Sequence, residues 1–452
     1  MGITATIVLA LMCAIGSARV QAAAYYVATT GNDVNAGTIA APFKTIARGS
    51  KALAAGDTLF IRQGTYAEAM IHGANGFVFR NGASKNARTR YSAYPGEEVV
   101  VKAPAGNFVV WFGQTNANIE LSDLVLNGTN TVSYVVRIDG DFDKMIWAQG
   151  IRLLRNDIRY GRFGIACAAD SEIIGNEIHD LRGYGMYTCG DNGLVEGNII
   201  HDNGGYAIHH FQQNHTVNNW IFRNNVIYRN GRAYYPPYDP YFGVNRRELP
   251  AAVFLSRGQN TRFYNNLVYD NTGGVIVGLG AVNHFVANNT VYDNDKIGID
   301  VSGANSGSLN AHVANNLTWG NGSQIANTGT GTKLEANLTT DPQVVNAAAA
   351  DFHLRSGSPA INAGVNLYSL GVTKDFSGAA RPQTGAFEMG AYEYGSAPAP
   401  VAFNFSLSNG GNKSVTQGAS VTNSLTATLV SGTAQAVSLS CMSSAICGIS
   451  ST

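Results

Sequence analysis

Eight times between Asn156 and Asp341 the chain repeats one phrase: an Asn, two mostly apolar positions, then a ring or polar residue. The copies begin at Asn156, Asn176, Asn198, Asn225, Asn266, Asn289, Asn316 and Asn337, spaced 20, 22, 27, 41, 23, 27 and 21 residues apart. A period of twenty-odd residues with short alternating apolar runs implies a coiled stack of strands, one turn of chain per repeat. Ten or so rungs at ~4.8 Å spacing would make a rod about 50 Å long.

Each repeat carries a second strand aligned on a small residue, at Gly164, Gly185, Ala207, Ala252, Gly274 and Gly298. Alternation of period two then puts Ile165, Met186, Ile208, Val253, Val275 and Ile299 in one inward column. The repeated Asn is expected to form a ladder at a bend, each amide satisfying backbone groups of its neighbour. Glycosylation sequons at Asn288, Asn316 and Asn337 fall inside the repeat and are expected to be buried.

The ends differ from the repeats. A short helix from Phe43 through Leu53, between strands at Tyr25–Ala28 and Asp57–Arg62, suits a cap over the open end of the stack. The rungs run from about 99 to 345, and residues 351–394 are rich in Gly and Pro. Residues 396–400 read as a linker, and 401–452 alternate apolar and Ser/Thr residues like a small β-sandwich with too few strands. The expected division is a signal segment 1–24, a capped and closed rod 25–395, the linker 396–400 and a partial sandwich-like unit 401–452.

The apolar stretch Ile3 to Ile15, followed by small residues to Ala24, resembles a secretory signal. No later segment has the ~18 consecutive apolar residues of a membrane span. The expectation is an exported protein, secreted or at the cell surface, and a monomer. Lys+Arg and Asp+Glu stand equal at 30 each, which gives no reason to propose nucleic acid or an anionic membrane as partner. Cys441 and Cys447 are close enough to pair in an oxidising compartment. Cys167 and Cys189 fall on adjacent repeats but on opposite faces if the alternation holds, so they read as buried or free thiols. No Cys or His pair has zinc-ligand spacing.

Two stretches carry a family resemblance. The opening Tyr26-Val27, Gly31-Asn32-Asp33, Asn35-Ala36-Gly37-Thr38, Pro42-Phe43-Lys44-Thr45-Ile46, Gly56 to Arg62 and Gly64-Thr65-Tyr66 resembles the start of many bacterial right-handed parallel β-helix proteins of the pectate-lyase-like superfamily, family-nine pectate lyases among them. The tail, Ser356 to Gly364 and then Asp375, Gly378, Arg381-Pro382, Gly385 and Glu388 to Tyr392, resembles a module that closes many exported β-helices. The resemblance implies an all-β fold, a right-handed parallel β-helix with an N-terminal cap helix, over roughly residues 25–395. It implies little about activity, because one fold hosts lyases, hydrolases and epimerases. Family-nine lyases use a lysine base beside a calcium held by aspartates, and no Lys lies between Lys144 and Lys296 here. Asp180 and Asp202 occupy equivalent turns on neighbouring rungs, and with Asp191 they would offer a hard-cation site for calcium. The plain alternative is solvated turn residues that favour the bend.

Two outward columns hold the candidate chemistry. One follows the Asn ladder: Arg159, His179, His201, Tyr228, Tyr269, Tyr292 and Trp319. Such rings suit stacking against sugars, or serve only to stabilise the sheet. The other runs Ala166, Tyr187, His209, Phe254, Ile276 and Asp300, with Gln212 and Arg257 at the strand ends. A long insertion, 231–250, brings Tyr234, Tyr235, Arg246 and Arg247 to this face, as solenoid insertions at binding faces do. His210 should point inward as a hydrogen-bonded core residue.

Elimination on a uronic acid needs a cation to quench the carboxylate, a base for the neighbouring carbon acid and an acid for the leaving oxygen. Arg257, with Arg246 or Arg247, suits the first role. His209 or His201 suits the second, and Tyr187 the third. His179, Tyr228, Tyr234, Tyr235, Gln212 and Phe254 would line the substrate path. A hydrolase needs two carboxylates about 5–9.5 Å apart, and the central outward strand offers none. The expected function is therefore a polysaccharide lyase on an acidic polysaccharide. The alternatives are a hydrolase or uronan epimerase, or a rod that only binds glycan.

Overall fold

The structure, a computed structural model, describes residues 22–395 apart from 105, 130–131, 142–145, 213–214, 232–250, 304–306 and 384, together with two strands, Asn404–Asn409 and Leu425–Ser431. Those two strands pair antiparallel. Nearly all of the expected signal segment, the linker 396–400, Cys441 and Cys447 lie outside the described residues.

The rungs form three parallel sheets. Within one turn the chain passes through sheet one, a first bend, sheet two, a second bend, sheet three, and a third bend back to sheet one. One such turn reads Leu194–Glu196, Ile199–His201, Ile208–His210. Sheet one has twelve strands, from Ala24–Val27 to Lys333–Glu335; sheets two and three have ten each. Successive strands pair parallel and in register, so the fold is a parallel β-helix, as its period implies. The column Ile165, Met186, Ile208, Val253, Val275 and Ile299 is fully buried. Each of these side chains contributes roughly 1.5–3 kcal/mol by leaving water. No helix of the described residues is long and apolar enough to cross a membrane.

The Asn ladder stands at the first bend. From Asn156 to Asn316, each backbone N–H and each side-chain amide donates to Oδ1 of the next Asn, at 2.9–3.0 Å across the Asn198–Asn225 and Asn225–Asn266 steps for example. The residue before each Asn is left-handed, from Arg155 (φ 53°) to Ala336 (φ 46°). A second ladder, which the repeat phrase did not reveal, stands five residues later at the second bend. There Asn203, Asn230, Asn271, Asn294 and Asn321 pass the same bond from rung to rung, Asn203 to Asn230 at 2.9 Å and Asn294 to Asn321 at 2.8 Å.

The N-terminal end is covered by the helix Ile46–Ala52, capped by Thr45, whose hydroxyl accepts from the Arg48 N–H. Toward the C-terminal end Phe352 packs on the outer face of sheet two, against Tyr269, Tyr292 and Trp319. There a fully buried Arg381–Glu393 ion pair at 2.6 Å ties the Gly/Pro-rich segment together.

One expectation fails. Cys189 is disulfide-bonded and not a free thiol. The opposite-face argument assumed unbroken alternation, but Ala166 pairs with Tyr187 and Ala168 with Thr188, so a bulge falls at Cys167 and breaks the period.

Candidate functional site

On sheet three the outward column is Trp111, Arg137, Ala166, Tyr187, His209, Phe254, Ile276, Asp300 and Ala326. His209 sits at its centre inside a cage of rings. Tyr184, Tyr187 and Tyr206 lie 5.0 Å from its ring centre, Phe211 5.1 Å and Phe254 5.8 Å. Part of the imidazole still reaches the surface, yet the cage strips most of its water. Burial therefore pulls its pKa down to about 3. Its Nδ1 is buried without a hydrogen-bond partner among the described residues. Burial acts the other way on the neighbouring phenol and pushes Tyr187 up to about 12. At neutral pH the pair is an uncharged imidazole beside a protonated phenol.

Arg257 joins this cluster through Phe211, with its guanidinium 5.5 Å from that ring. It lies within the strand Val253–Gln259, where the register with the next rung shifts between Ser256 and Gly258. Arg257 takes φ 43° there. A bulge of this kind re-aims one side chain without ending the strand, and a non-glycine residue with positive φ concentrates at functional sites. Gln212, 5% exposed, follows Phe211 at the end of the same turn. Asp300 is three rungs from His209, about 14 Å by strand spacing; burial raises its pKa.

His201 is elsewhere. It belongs to sheet two, across the second Asn bend from His209, in the column Arg159, His179, His201, Tyr228, Tyr269, Tyr292, Trp319. Parallel in-register stacking lays these rings face on face: His179 and His201 are 5.0 Å apart and 6° from coplanar, His201 and Tyr228 4.8 Å and 6°, Tyr228 and Tyr269 5.3 Å and 8°. The ring faces are covered by the rungs above and below, so a sugar meets edges. Tyr269 to Trp319 are further covered by Phe352.

Both imidazoles are clamped between carboxylates. His179 contacts Asp180 at 2.8 Å and Asp157 at 3.1 Å; His201 contacts Asp202 at 2.7 Å and Glu177 at 3.0 Å. Burial alone would lower His179, but Asp157 and Asp180 outweigh it and raise its pKa. Burial likewise works against ionised Asp202, and the Arg229 and His201 contacts outweigh it, lowering its pKa. Asp180 and Asp202 share one bend position with Arg229, Asp270, Asp293 and Gly320, all at φ between 52° and 67°. Asp191 sits at the third bend instead and accepts from the Asn218 N–H at 2.7 Å. With Arg229 on Asp202 and an imidazole on each carboxylate, the pair does not fit a calcium ion. The described residues include no cluster of three potential ligands.

Tyr234, Tyr235, Arg246 and Arg247 fall in 232–250, outside the described residues. Sequence reasoning missed Tyr184, Tyr206 and Phe211 around His209, and the carboxylates Asp157 and Glu177 on adjacent rungs. Tyr184 and Tyr206 did have a signal, since each stands two residues before an inward column position.

The family described as "Right handed beta helix region" matches over residues 101–245 and 164–341. No curated protein sequence matches the chain. Among solved structures, the pectate lyase Pel9A is similar at 15% identity and TM-score 0.53, covering 82% of this chain and 96% of its own. XylC in complex with xylose is similar at 13% identity and TM-score 0.52, covering 70% of this chain and 75% of its own. At such identity the likeness is one of fold.

Proposed function

We propose that this chain, which belongs to the right-handed β-helix family, cleaves a uronic-acid-containing polysaccharide by β-elimination on the His209 face. The observation that carries the reading is the pairing of opposite proton roles on adjacent rungs: an unprotonated His209 with an unpartnered Nδ1 beside a protonated Tyr187, with Arg257 on the same ring cluster. Arg257 holds the uronate carboxylate. His209 takes the proton from the carbon next to it, a carbon–carbon double bond forms, the bond to the glycosidic oxygen breaks, and Tyr187 protonates that oxygen. A free imidazole with a pKa near 3 is a weak base. The bound carboxylate would raise it toward the working range, because a nearby opposite charge favours the protonated ring. Phe254 and Gln212 belong to the same face, and the insertion that carries Tyr234, Tyr235, Arg246 and Arg247 would wall it; His179, His201 and Tyr228 stand on sheet two across the second bend, where a long polymer would reach them.

Asp157 and Glu177 support a second reading, glycoside hydrolysis. They pair in register on adjacent rungs, about 4.8 Å apart at the backbone, close to the spacing of a retaining carboxylate pair. Both already hold imidazoles, and Asp157 also holds Arg159 at 2.9 Å, so a substrate would have to displace these partners before either carboxyl could protonate a leaving group. An oxidising compartment suits the disulfide at Cys189, in keeping with export behind the apolar start. No step is routed through calcium.

The test is absorbance at the unsaturated-uronate band while the chain meets a panel of acidic polysaccharides, with calcium and with chelator. A rise on one polymer is expected, unchanged by chelator. New reducing ends without absorbance would give the reaction to the Asp157–Glu177 pair, and no new ends on any polymer would refute both.

A further inference from the structure

A cleft on sheet one is separate from the His209 face. Three consecutive strands open there, Arg262–Tyr264, Phe285–Ala287 and His312–Ala314, with Arg262, Phe285 and His312 in register. Two residues earlier on each rung, exposed Asn260, Asn283 and Asn310 turn the third bend at φ 60°, 54° and 53°. Leu370, from the short 3-10 turn Tyr368–Leu370, makes the far wall of an open cleft of about 370 Å³. That is the lower end of the volume of small-molecule sites.

The floor has two chemistries. The guanidinium of Arg262 lies 5.2 Å from the Phe285 ring and 5.1 Å from Tyr264, and donates to the Leu370 carbonyl. It has no carboxylate partner among the described residues. Lys333 is next along the register from His312, and Glu335 on the same strand is already held by His312 at 2.9 Å and Lys333 at 2.7 Å. The cleft therefore keeps an unbalanced positive charge. Beside it run three exposed amides at the ~4.8 Å rung spacing; Asn260 donates to Asn219 Oδ1 at 3.3 Å and Asn310 to Asn283 Oδ1 at 3.4 Å, which leaves each a second N–H and an oxygen lone pair. Exposed Leu370 and Tyr368, 44% and 57% accessible, add apolar surface.

We propose that this cleft is an accessory binding site for carboxylated sugar units of a polysaccharide. Arg262 takes the carboxylate, the amides of Asn260, Asn283 and Asn310 take hydroxyls, and Phe285 with Leu370 packs against the apolar face of the sugar. The choice of an acidic polymer rests on the reading of the His209 face; the cleft's own chemistry adds a lone cation flanked by neutral amides. That suits the low charge density of a uronan better than a polyphosphate. By holding the polymer a sheet away from Tyr187 and His209, the cleft would keep long chains on the rod between cleavage events.

The experiment is affinity electrophoresis of the full chain through gels containing polygalacturonate, alginate or neutral dextran. At least one acidic polymer is expected to retard the wild type and dextran to leave it unaffected. Arg262→Gln and Asn283→Asp should each weaken the retardation about tenfold, the scale of one charge-assisted contact, while cleavage of short oligosaccharides stays unchanged. Asp tolerates the left-handed bend at 283, so that variant should fold even where loss of the Arg262–Leu370 contact disturbs the closing segment. Retardation equal in both variants and wild type, no retardation by either acidic polymer, or equal retardation by dextran would overturn the site. If retardation depends on Arg262 while no polymer is eliminated, the cleft stands and the lyase reading falls. Elimination without that dependence means the reverse.

Discussion

At the scale of single residues, two histidines of this chain titrate in opposite directions, and stability should show it. His209, held near 3 by its ring cage, is neutral in the folded chain where the unfolded chain would begin to bind a proton, below about 6.5. Its contribution to stability is complete above pH 6.5 and is lost as pH falls toward 3. His179 is raised by Asp157 and Asp180, so its contribution is complete below about 6.5 and is lost as pH rises through its folded value. Thermal melts of His179→Ala should therefore show a larger loss at pH 5.5 than at pH 8.5. His209→Gln should narrow the gap in stability between pH 7 and pH 4. Equal losses of His179→Ala at both pH values would mean that the clamp carries no charge-dependent stability. Arg257 separates fold from function differently. Arg257→Gly relieves its positive φ, so melting should stay level or rise, by up to about 1 kcal/mol, while activity on acidic polymer drops at least tenfold. Activity near wild type would remove Arg257 from the site.

At the scale of elements, the Asn ladders hold the bends. Asn225 Oδ1 accepts from both the N–H and the amide of Asn198 at 3.0 and 2.9 Å. Asn225→Ala would leave two buried donors unpaired, a loss of about 2–5 kcal/mol on denaturant unfolding. Asn271→Ala, in the second ladder, should cost a similar amount; a cost under about 0.5 kcal/mol in either would show that the bends do not need the amides. The first ladder was legible because its Asn opens every repeat phrase. The second was overlooked although its Asn stands five residues on in five consecutive copies. Alternation of period two gave the inward and outward columns, and the bulges at Cys167 and Arg257 were invisible to it because neither 165–169 nor Val253–Gln259 alternates apolar with polar residues, so no break in phase could show. Grouping His201 with His209 ignored the second bend between them. Ring stacking followed from register: rungs ~4.8 Å apart leave no room for a sugar between aromatic faces.

At the scale of the whole molecule, the chain covers its own rod in two places, the helix at the N-terminal end and the Phe352 segment on the outer face of sheet two over its last rungs. Deleting residues 401–452 should leave melting temperature and cleavage unchanged. Removing 344–394 as well uncovers the outward rings Tyr269, Tyr292 and Trp319, and should lower the melting temperature and promote aggregation through that apolar face. Unchanged melting after the second deletion would show that this cover adds nothing to stability. The single most direct measurement of the account is the initial rate at the unsaturated-uronate band for wild type and His209→Gln side by side, on the polymer that responds best. A general base contributes 10²–10⁴-fold, so the account predicts a rise with wild type and a loss of at least about 100-fold in the variant, with both chains fully folded. Equal rates would contradict it.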